Sequence, residues 1–186
     1  REVDQVLPSG PAPDDVHLDA LRTVFGSLEQ AGLLPVVVFD DADAWLDTAW
    51  QPDAAAARDR FFGTVCCPAT DFLYAFIDGD RIPVPPTGML DKSMLPKHPY
   101  ALDNRAGLIA PDYDLEALDM VFLKKSQEFL ESHVRKSPGK PFFLYHAAQA
   151  VHLPSFPADR FKGKTKAGPH GDFIHQLDWI VGELIS

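Results

Sequence analysis

A histidine stands in a short loop that two prolines make rigid. His152 lies between Val151 and Leu153, and Pro154 and Pro157 follow it. Because proline fixes its own backbone φ angle, such a loop keeps the imidazole in one place. An imidazole held in one place could contact a ligand, because histidine can donate or accept a hydrogen bond. The alternative is a structural loop histidine whose ring hydrogen-bonds to nearby backbone.

A strand and two helices must position this loop. The run Phe142–Tyr145 is apolar without interruption, which predicts a strand buried on both faces. An amphipathic helix capped by Asp114 is predicted before the strand, and a second helix after the loop. The predicted buried stripes comprise Leu118, Val121, Phe122, Phe129 and Leu130 in the first helix, and Phe173, Leu177, Ile180, Val181 and Leu184 in the second. This order predicts an α/β layered sheet with parallel strands, in which His152 lies beyond a carboxyl strand end, where ligands bind.

The segment before these helices is predicted to be mostly irregular. Asp78-Gly79 between "FLYAFI" and "RIPV" is typical of a two-residue β-hairpin. Residues 83–113 are proline-rich and show little periodicity, which predicts a long loop. Loops of this length in compact domains are usually functional or lie over the surface.

The amino-terminal part differs from the rest in composition. Residues 1–58 are rich in alanine and aspartate, whereas glycine, proline, lysine and histidine increase from residue 59 onward. Residues 1–13 offer almost no apolar surface and are expected to be disordered. A helix is predicted next, and then a buried strand, Val36–Phe39, which ends in Asp40-Asp41. We therefore divide the chain into a helix–strand segment, 1–58, and a second part, 59–186.

Composition excludes some classes of partner. The net charge of the 186-residue chain is −10, which disfavours binding to nucleic acid. No apolar run reaches the length needed to span a membrane. The two cysteines, Cys66 and Cys67, are adjacent and fit neither a disulfide framework nor a four-ligand zinc site. They give no indication of the compartment.

Over residues 59–186 the chain resembles the sulfatase family. The family pattern has a strand of the "PFFLY" type, small residues, and then His-x-Pro, as in "FFLYHAAQAVHLPSFP". A basic, glycine-bearing stretch follows, and then a helix that starts Gly-Pro-aromatic-Gly-Asp. Here that start reads Gly168-Pro169-His170-Gly171-Asp172, with His170 in place of the aromatic residue. "DRFFGTV" resembles the Phe-Asp-x-Phe-x-Gly segment that precedes the variable loop of the family.

The resemblance implies a fold, a reaction and a site. Sulfatases have an alkaline-phosphatase-like α/β fold and hydrolyse sulfuric esters of small molecules or glycans. Their nucleophile is a formylglycine made from the cysteine of a Cys-x-Pro-Ser-Arg motif, and a calcium ion is held by an early Asp-Asp and a later Asp-Asn pair. The match implies that His152 is a catalytic residue that binds the sulfate ester. His146 is expected to pack or hydrogen-bond locally, and Asp172 and Asp178 to be structural.

Several family motifs are not matched. Cys66-x-Pro68-Ala69-Thr70 has threonine where the family has arginine, and it follows "DRFFG" instead of preceding it. Asp103-Asn104 precedes the last helix, whereas the Asp-Asn pair of the family comes after it. Asp40-Asp41 matches the early metal pair only if a long intervening stretch has been lost. The sequence therefore predicts that the chain alone is inactive and binds no calcium.

Two other interpretations remain open. "LPVVVFDDADAWL", within residues 16–50, resembles the Walker B strand of P-loop ATPases, in which such aspartates orient magnesium and water. The chain has no Gly-x-x-x-x-Gly-Lys-Ser/Thr motif to hold phosphates, so nucleotide hydrolysis by this chain alone is not expected. The other interpretation is a non-catalytic α/β interaction protein.

Overall fold

The computed structural model describes residues 34–38, 62–64, 68–70, 73–79, 81–102 and 104–186, with only the backbone of 34–38. The expected disorder of residues 1–13 and the helix predicted after it lie outside these residues. So do Asp40-Asp41, both cysteines and Asp103. The strands are β1 (Leu34–Val38), β2 (Phe62–Thr64), β3 (Phe76–Asp78), β4 (Gly88–Met89), β5 (Leu108–Ile109) and β6 (Phe142–His146). The helices are α1 (Leu118–Lys136) and α2 (Gly168–Ile185).

Strands β1 and β6 form a parallel pair. Their register joins Leu34 to Phe142 and Val38 to His146. The predicted parallel direction of the two strands is therefore confirmed, and their carboxyl ends meet at the same edge. The loop that carries His152 begins at this edge.

The prediction that Phe142–Tyr145 is buried on both faces is wrong. Phe142, Phe143 and Tyr145 are 41%, 36% and 49% exposed. On the face of Phe142, α1 covers part of the strand, since Phe129 and His133 contact the Phe142 ring. Phe143 and Tyr145 point to the opposite face because successive residues of a strand alternate. An apolar run predicts a strand well, but it does not establish how many layers cover that strand.

Both predicted helices are present, with partly different buried faces. Asp114 accepts the N–H of Glu116 in a turn, and α1 begins only at Leu118 without a side-chain cap. Val121, Phe129 and Leu130 are only half-buried, and Val181 of α2 is exposed. The buried residues of α1 are Leu118, Asp119, Phe122, Leu123, Ser126 and His133, and those of α2 are Asp172, Phe173, Gln176 and Ile180. Besides His133, four of these ten residues are polar or charged, namely Asp119, Ser126, Asp172 and Gln176. Asp119, Asp172 and Gln176 hydrogen-bond to the backbone of loops.

The predicted hairpin is reduced to a single bridge. Gly79 adopts φ +65°, as a tight turn requires, and Asp78 and Arg81 exchange backbone hydrogen bonds. The ladder stops there because Pro83 lacks an N–H to continue it. Strand β3 instead pairs antiparallel with β2. In the predicted irregular loop over 83–113, the described residues, all but 103, form a 3-10 turn and the two-residue pair β4–β5 and no other regular element.

The core joins the irregular segments to α1. Tyr74, Phe76 and Phe122 are buried together, and the Phe76 ring lies 4.8 Å from that of Tyr113. The Tyr74 hydroxyl donates to the Arg105 carbonyl at 2.6 Å and lies 3.0 Å from the Thr70 carbonyl. Buried aromatic side chains of this kind each contribute a few kcal/mol to folding, so the core fixes the segment on which the loops rest. No helix within the described residues is long and apolar enough to cross a membrane.

Candidate functional site

His152 lies in the loop that follows β6, and its side chain is exposed. The backbone N–H of His152 donates to the carbonyl of Gln149 at 2.9 Å. The ring Nδ1 lies within hydrogen-bonding distance of the Leu153 carbonyl, which also accepts the Thr70 hydroxyl at 3.2 Å. A carbonyl can only accept, so Nδ1 carries the proton in this arrangement. Nε2 is then the ring atom that is left for a ligand.

This tautomer determines which form of His152 can bind an anion. In the neutral ring Nε2 presents a lone pair, which repels a sulfate oxygen. In the imidazolium both ring nitrogens are donors, so Nε2 can donate to an oxygen while Nδ1 keeps its bond to Leu153. Anion binding at His152 is therefore expected to require the protonated ring.

A buried polar cluster, which we name the polar clamp, holds the loop at both ends. It consists of Asp119 of α1, Gln149 of the loop and Gln176 of α2, which are 2%, 3% and 1% exposed. The Asp119 carboxylate accepts the N–H of Gln149 at 2.7 Å, the N–H of Ala150 at 3.1 Å and the amide of Gln176 at 2.8 Å. Gln176 in turn accepts the N–H of Ala158 at 2.8 Å. The clamp thus fixes the backbone before and after His152.

Gln149 extends the clamp to the carbonyl groups beside His152. Its side-chain amide lies 3.3 Å from the carbonyls of both His152 and Pro154. The carbonyls of His152 and Pro154 therefore share one donor group inside the loop. Burial raises the pKa of Asp119, although the N–H donors of Gln149, Gln176 and Ala150 oppose that effect.

The outer side of the loop rests on Tyr100 and α2. Ser155 donates its N–H to the Tyr100 carbonyl at 2.8 Å, and its hydroxyl bonds Nδ1 of His170 at 2.8 Å. The rings of Tyr100 and His170 are stacked, with centroids 5.2 Å apart. His170, which replaces the aromatic residue of the family pattern, therefore still makes an aromatic contact.

Asp172 has a structural role, as predicted. It accepts the N–H of Gly163 at 2.8 Å and of Thr165 at 2.7 Å, which fixes the basic stretch before α2. Burial acts to raise the pKa of Asp172, but the N–H groups of Thr165 and Gly163 outweigh it and the pKa is lowered. This interaction therefore stabilises the fold at neutral pH and is lost as the pH falls through the lowered pKa. Asp178 is exposed.

Gly171 allows the basic stretch to lie directly against α2. A Cβ at this position would lie 2.5 Å from the Ala167 Cβ and 2.6 Å from the Thr165 hydroxyl. We expect Gly171→Ala to lower the free energy of unfolding by about 1–3 kcal/mol, the typical effect of overpacking. Gly182 is the matched control, since a Cβ there meets nothing within 4 Å. Gly182→Ala should stabilise the helix by about 0.5–1 kcal/mol. Urea denaturation of both variants measures the difference, and equal effects would show that Gly171 is not crowded.

His146 hydrogen-bonds locally, as predicted. Its Nδ1 lies 2.8 Å from the hydroxyl of Ser126, which is buried on α1. Burial lowers the pKa of His146. The neutral ring therefore ties the carboxyl end of β6 to α1, and this contact sets where the loop begins.

The described residues do not fit the calcium ion that the resemblance implies. No group of three histidine, cysteine or acidic side chains among them is arranged to hold a metal. Asp119 and Asp172, the buried carboxylates, are each engaged by backbone N–H groups, which a metal ligand would have to release. Asn104 donates to the Ala69 carbonyl at 2.7 Å and supports the core. We therefore assign no step of the chemistry to calcium in this part of the chain.

The sequence reasoning missed the polar clamp and Tyr100. A signal for the clamp was available on the helices. Gln176 stands three residues after Phe173 and four before Ile180, and so falls on the apolar stripe of α2. Asp119 stands three residues before Phe122 in the same way. Polar side chains on a buried stripe require buried hydrogen-bond partners. Asp119 and Gln176 find such partners in backbone N–H groups of the His152 loop.

Three proteins that are named as sulfatases are similar to a segment of this chain. N-acetylgalactosamine-6-O-sulfatase of Bacteroides thetaiotaomicron is 42% identical over 66 residues, which is 36% of this chain and 12% of that protein. Arylsulfatase A of Bos taurus is 44% identical over 48 residues, 26% of this chain and 10% of that protein. N-acetylgalactosamine-6-sulfatase of Rattus norvegicus is 34% identical over 70 residues, 37% and 13% of the two chains. The similarity thus spans about an eighth of the length of these relatives. No family model matches the chain.

The fold comparison covers more of the chain. A solved structure labelled as a 6S-sulfatase, from work on the metabolism of multiple glycosaminoglycans by Bacteroides thetaiotaomicron, has a TM-score of 0.58. It covers 85% of this chain and 40% of the solved chain at 20% identity, so it shows the fold alone. The chain therefore has a partial alkaline-phosphatase-like α/β fold, and its resemblance to the sulfatases is confirmed in a segment of its sequence and in most of its fold.

Proposed function

We propose that this chain carries the sulfate-ester-binding part of a sulfatase-type hydrolase, with His152 as the residue that contacts the ester. The single observation that carries the proposal is the state of His152. Its loop is held on both sides, Nδ1 is engaged by Leu153, and the ring is exposed with Nε2 free for a ligand. Once the ring is protonated, Nε2 is a donor held in this position and can stabilise charge on an ester oxygen without rearrangement of the loop.

The substrate class follows from the relatives. Their names specify sulfated N-acetylgalactosamine or aryl sulfates, and the structural neighbour comes from work on glycosaminoglycans. A sulfate ester of a sugar or of a small molecule is therefore the proposed ligand. We propose neither nucleic acid nor a membrane as a partner. Residues 59–186 are proposed to form the partial sulfatase domain, and residues 1–58 a divergent or unrelated segment whose strand β1 pairs with β6.

This chain is not expected to hydrolyse the ester that it binds. The resemblance places the covalent nucleophile in a Cys-x-Pro-Ser-Arg motif, which the sequence lacks. Without that nucleophile no covalent intermediate can form. An imidazolium that stabilises charge therefore cannot bring about hydrolysis by itself. The activity proposed for this chain is therefore binding, and hydrolysis belongs to an enzyme that has a nucleophile.

The experiment is a titration with methyl sulfate, which presents the ester and almost nothing else. We expect weak binding that His152→Ala reduces at least tenfold. His175→Ala is the matched control, since His175 is exposed on α2 and faces Phe161. Equal affinity of the wild type and His152→Ala would refute the role of His152.

A further inference from the structure

An exposed aromatic side chain is held beside the His152 loop. Tyr100 is 41% exposed, yet its ring is stacked on His170 with an interplanar angle of 20°. His170 is itself fixed by its Nδ1 contact with Ser155. The Tyr100 carbonyl accepts the Ser155 N–H. One face of the Tyr100 ring is thus covered by His170, and the side chain keeps a large exposed area.

Tyr100 is attached to the same loop as His152. Ser155 is three residues from His152, so their Cα atoms are at most about 11 Å apart. The Tyr100 carbonyl accepts the Ser155 N–H, so Tyr100 lies directly beside the loop that carries His152. Val151, another exposed apolar residue, directly precedes His152.

We infer that Tyr100 is a specificity-determining residue that binds the pyranose ring carrying the sulfate ester, with His170 as its support. This inference rests on the proposed binding of the ester by His152. A pyranose has C–H groups on its faces and hydroxyl groups at its edges. The exposed tyrosine matches both features, because its ring packs against C–H groups and its hydroxyl can hydrogen-bond.

The support from His170 makes Tyr100 suitable for this role. A tyrosine that is free in solvent loses side-chain entropy when a ligand orders it. Stacking on His170 and the backbone bond to Ser155 have already restricted the residue. A preorganised aromatic contact of this kind is expected to increase the affinity for a sugar about 5- to 10-fold.

The test compares two sulfate esters that differ only in the group attached to sulfate. Methyl sulfate probes His152 alone, whereas N-acetylgalactosamine 6-sulfate adds the pyranose. In the wild type the sugar ester should bind about 5- to 10-fold more tightly. Tyr100→Ala should remove this increment and leave methyl sulfate affinity unchanged. Tyr100→Phe should keep most of the increment because the ring stays stacked.

Tyr145→Ala serves as a control for the loss of an exposed tyrosine, since Tyr145 lies on β6 and is 49% exposed. The inference is overturned if the sugar ester binds no better than methyl sulfate, or if Tyr100→Ala keeps the increment. A parallel loss of methyl sulfate affinity would also overturn it, because Tyr100 would then only support the loop. If methyl sulfate does not bind at all, the proposed function fails. The inference is then judged on whether Tyr100→Ala abolishes binding of the sugar ester.

Discussion

Replacing Asp119 with alanine is expected to release the His152 loop and to lower the free energy of unfolding by about 3–5 kcal/mol. The variant removes the acceptor of two backbone N–H groups and of the Gln176 amide, all of them buried. A buried donor without a partner costs about 1–3 kcal/mol, and the three effects are not fully additive. Because Gln149 and Ala150 immediately precede the His152 turn, methyl sulfate affinity should fall at least tenfold in the same variant.

Asp119→Asn separates hydrogen bonding from charge. Asparagine keeps one acceptor oxygen and has no charge to bury, so its effect should be smaller than that of alanine. The wild type should also show a pH dependence that Asp119→Asn lacks. Since burial raises the pKa of Asp119 in the folded chain, stability from this group is fully present below the unfolded pKa and is lost as the pH rises through the raised value.

Urea denaturation of wild type, Asp119→Ala and Asp119→Asn across pH measures these effects. Glu131→Ala is a suitable control, because Glu131 lies exposed on the same helix. If Asp119→Ala were as stable as this control, the clamp would not hold the loop. Loss of stability with unchanged methyl sulfate affinity would show that the clamp supports the fold but not the site.

The second large effect concerns hydrolysis. The purified chain is expected to show no turnover of a generic aryl sulfate, with or without calcium, even after co-expression with a formylglycine-generating enzyme. The reason is chemical, because neither Cys66 nor Cys67 has the Cys-x-Pro-Ser-Arg context in which the cysteine is oxidised. Loss of a covalent nucleophile reduces rates by many orders of magnitude.

A full-length relative that has the nucleophile provides a positive control for the role of the histidine. In a full-length sulfatase that has both the Cys-x-Pro-Ser-Arg motif and a histidine matching His152, alanine at that histidine should slow turnover by about a hundredfold or more. That is the scale of one lost donor to a developing oxyanion. Clear turnover by the present chain, abolished by Cys66→Ala, would show that Cys66-x-Pro68 does supply a nucleophile.

The elements near the site were largely predictable, but their burial was not. The strand Phe142–His146, both helices and the parallel direction of β1 follow from periodicity and apolar runs. The exposure of Phe143 and Tyr145 does not follow, because an apolar run carries no information about what covers a strand. The hairpin prediction ignored Pro83, whose missing N–H ends the ladder after one bridge.

The candidate site was predictable only in part. His152 could be identified because its motif is local, with prolines close by in sequence. The polar clamp joins residues 30 and 57 positions apart, so its contacts depend on the packing of α1 against α2. Tyr100 lies in the proline-rich segment, where no periodicity indicates which side chains meet. Long-range polar contacts of this kind become visible only in the folded chain.

The most direct test of the account is the response of the His152 ring to methyl sulfate. Nitrogen-15 labelling of the histidines and a nuclear magnetic resonance titration resolve the two nitrogens of each ring. We predict that Nε2 of His152 shifts most, that Nδ1 keeps its proton on the Leu153 side, and that His175 does not respond. A larger response at another histidine, or none at His152 under conditions where the ester binds, would contradict the assignment of His152 as the sulfate-ester contact.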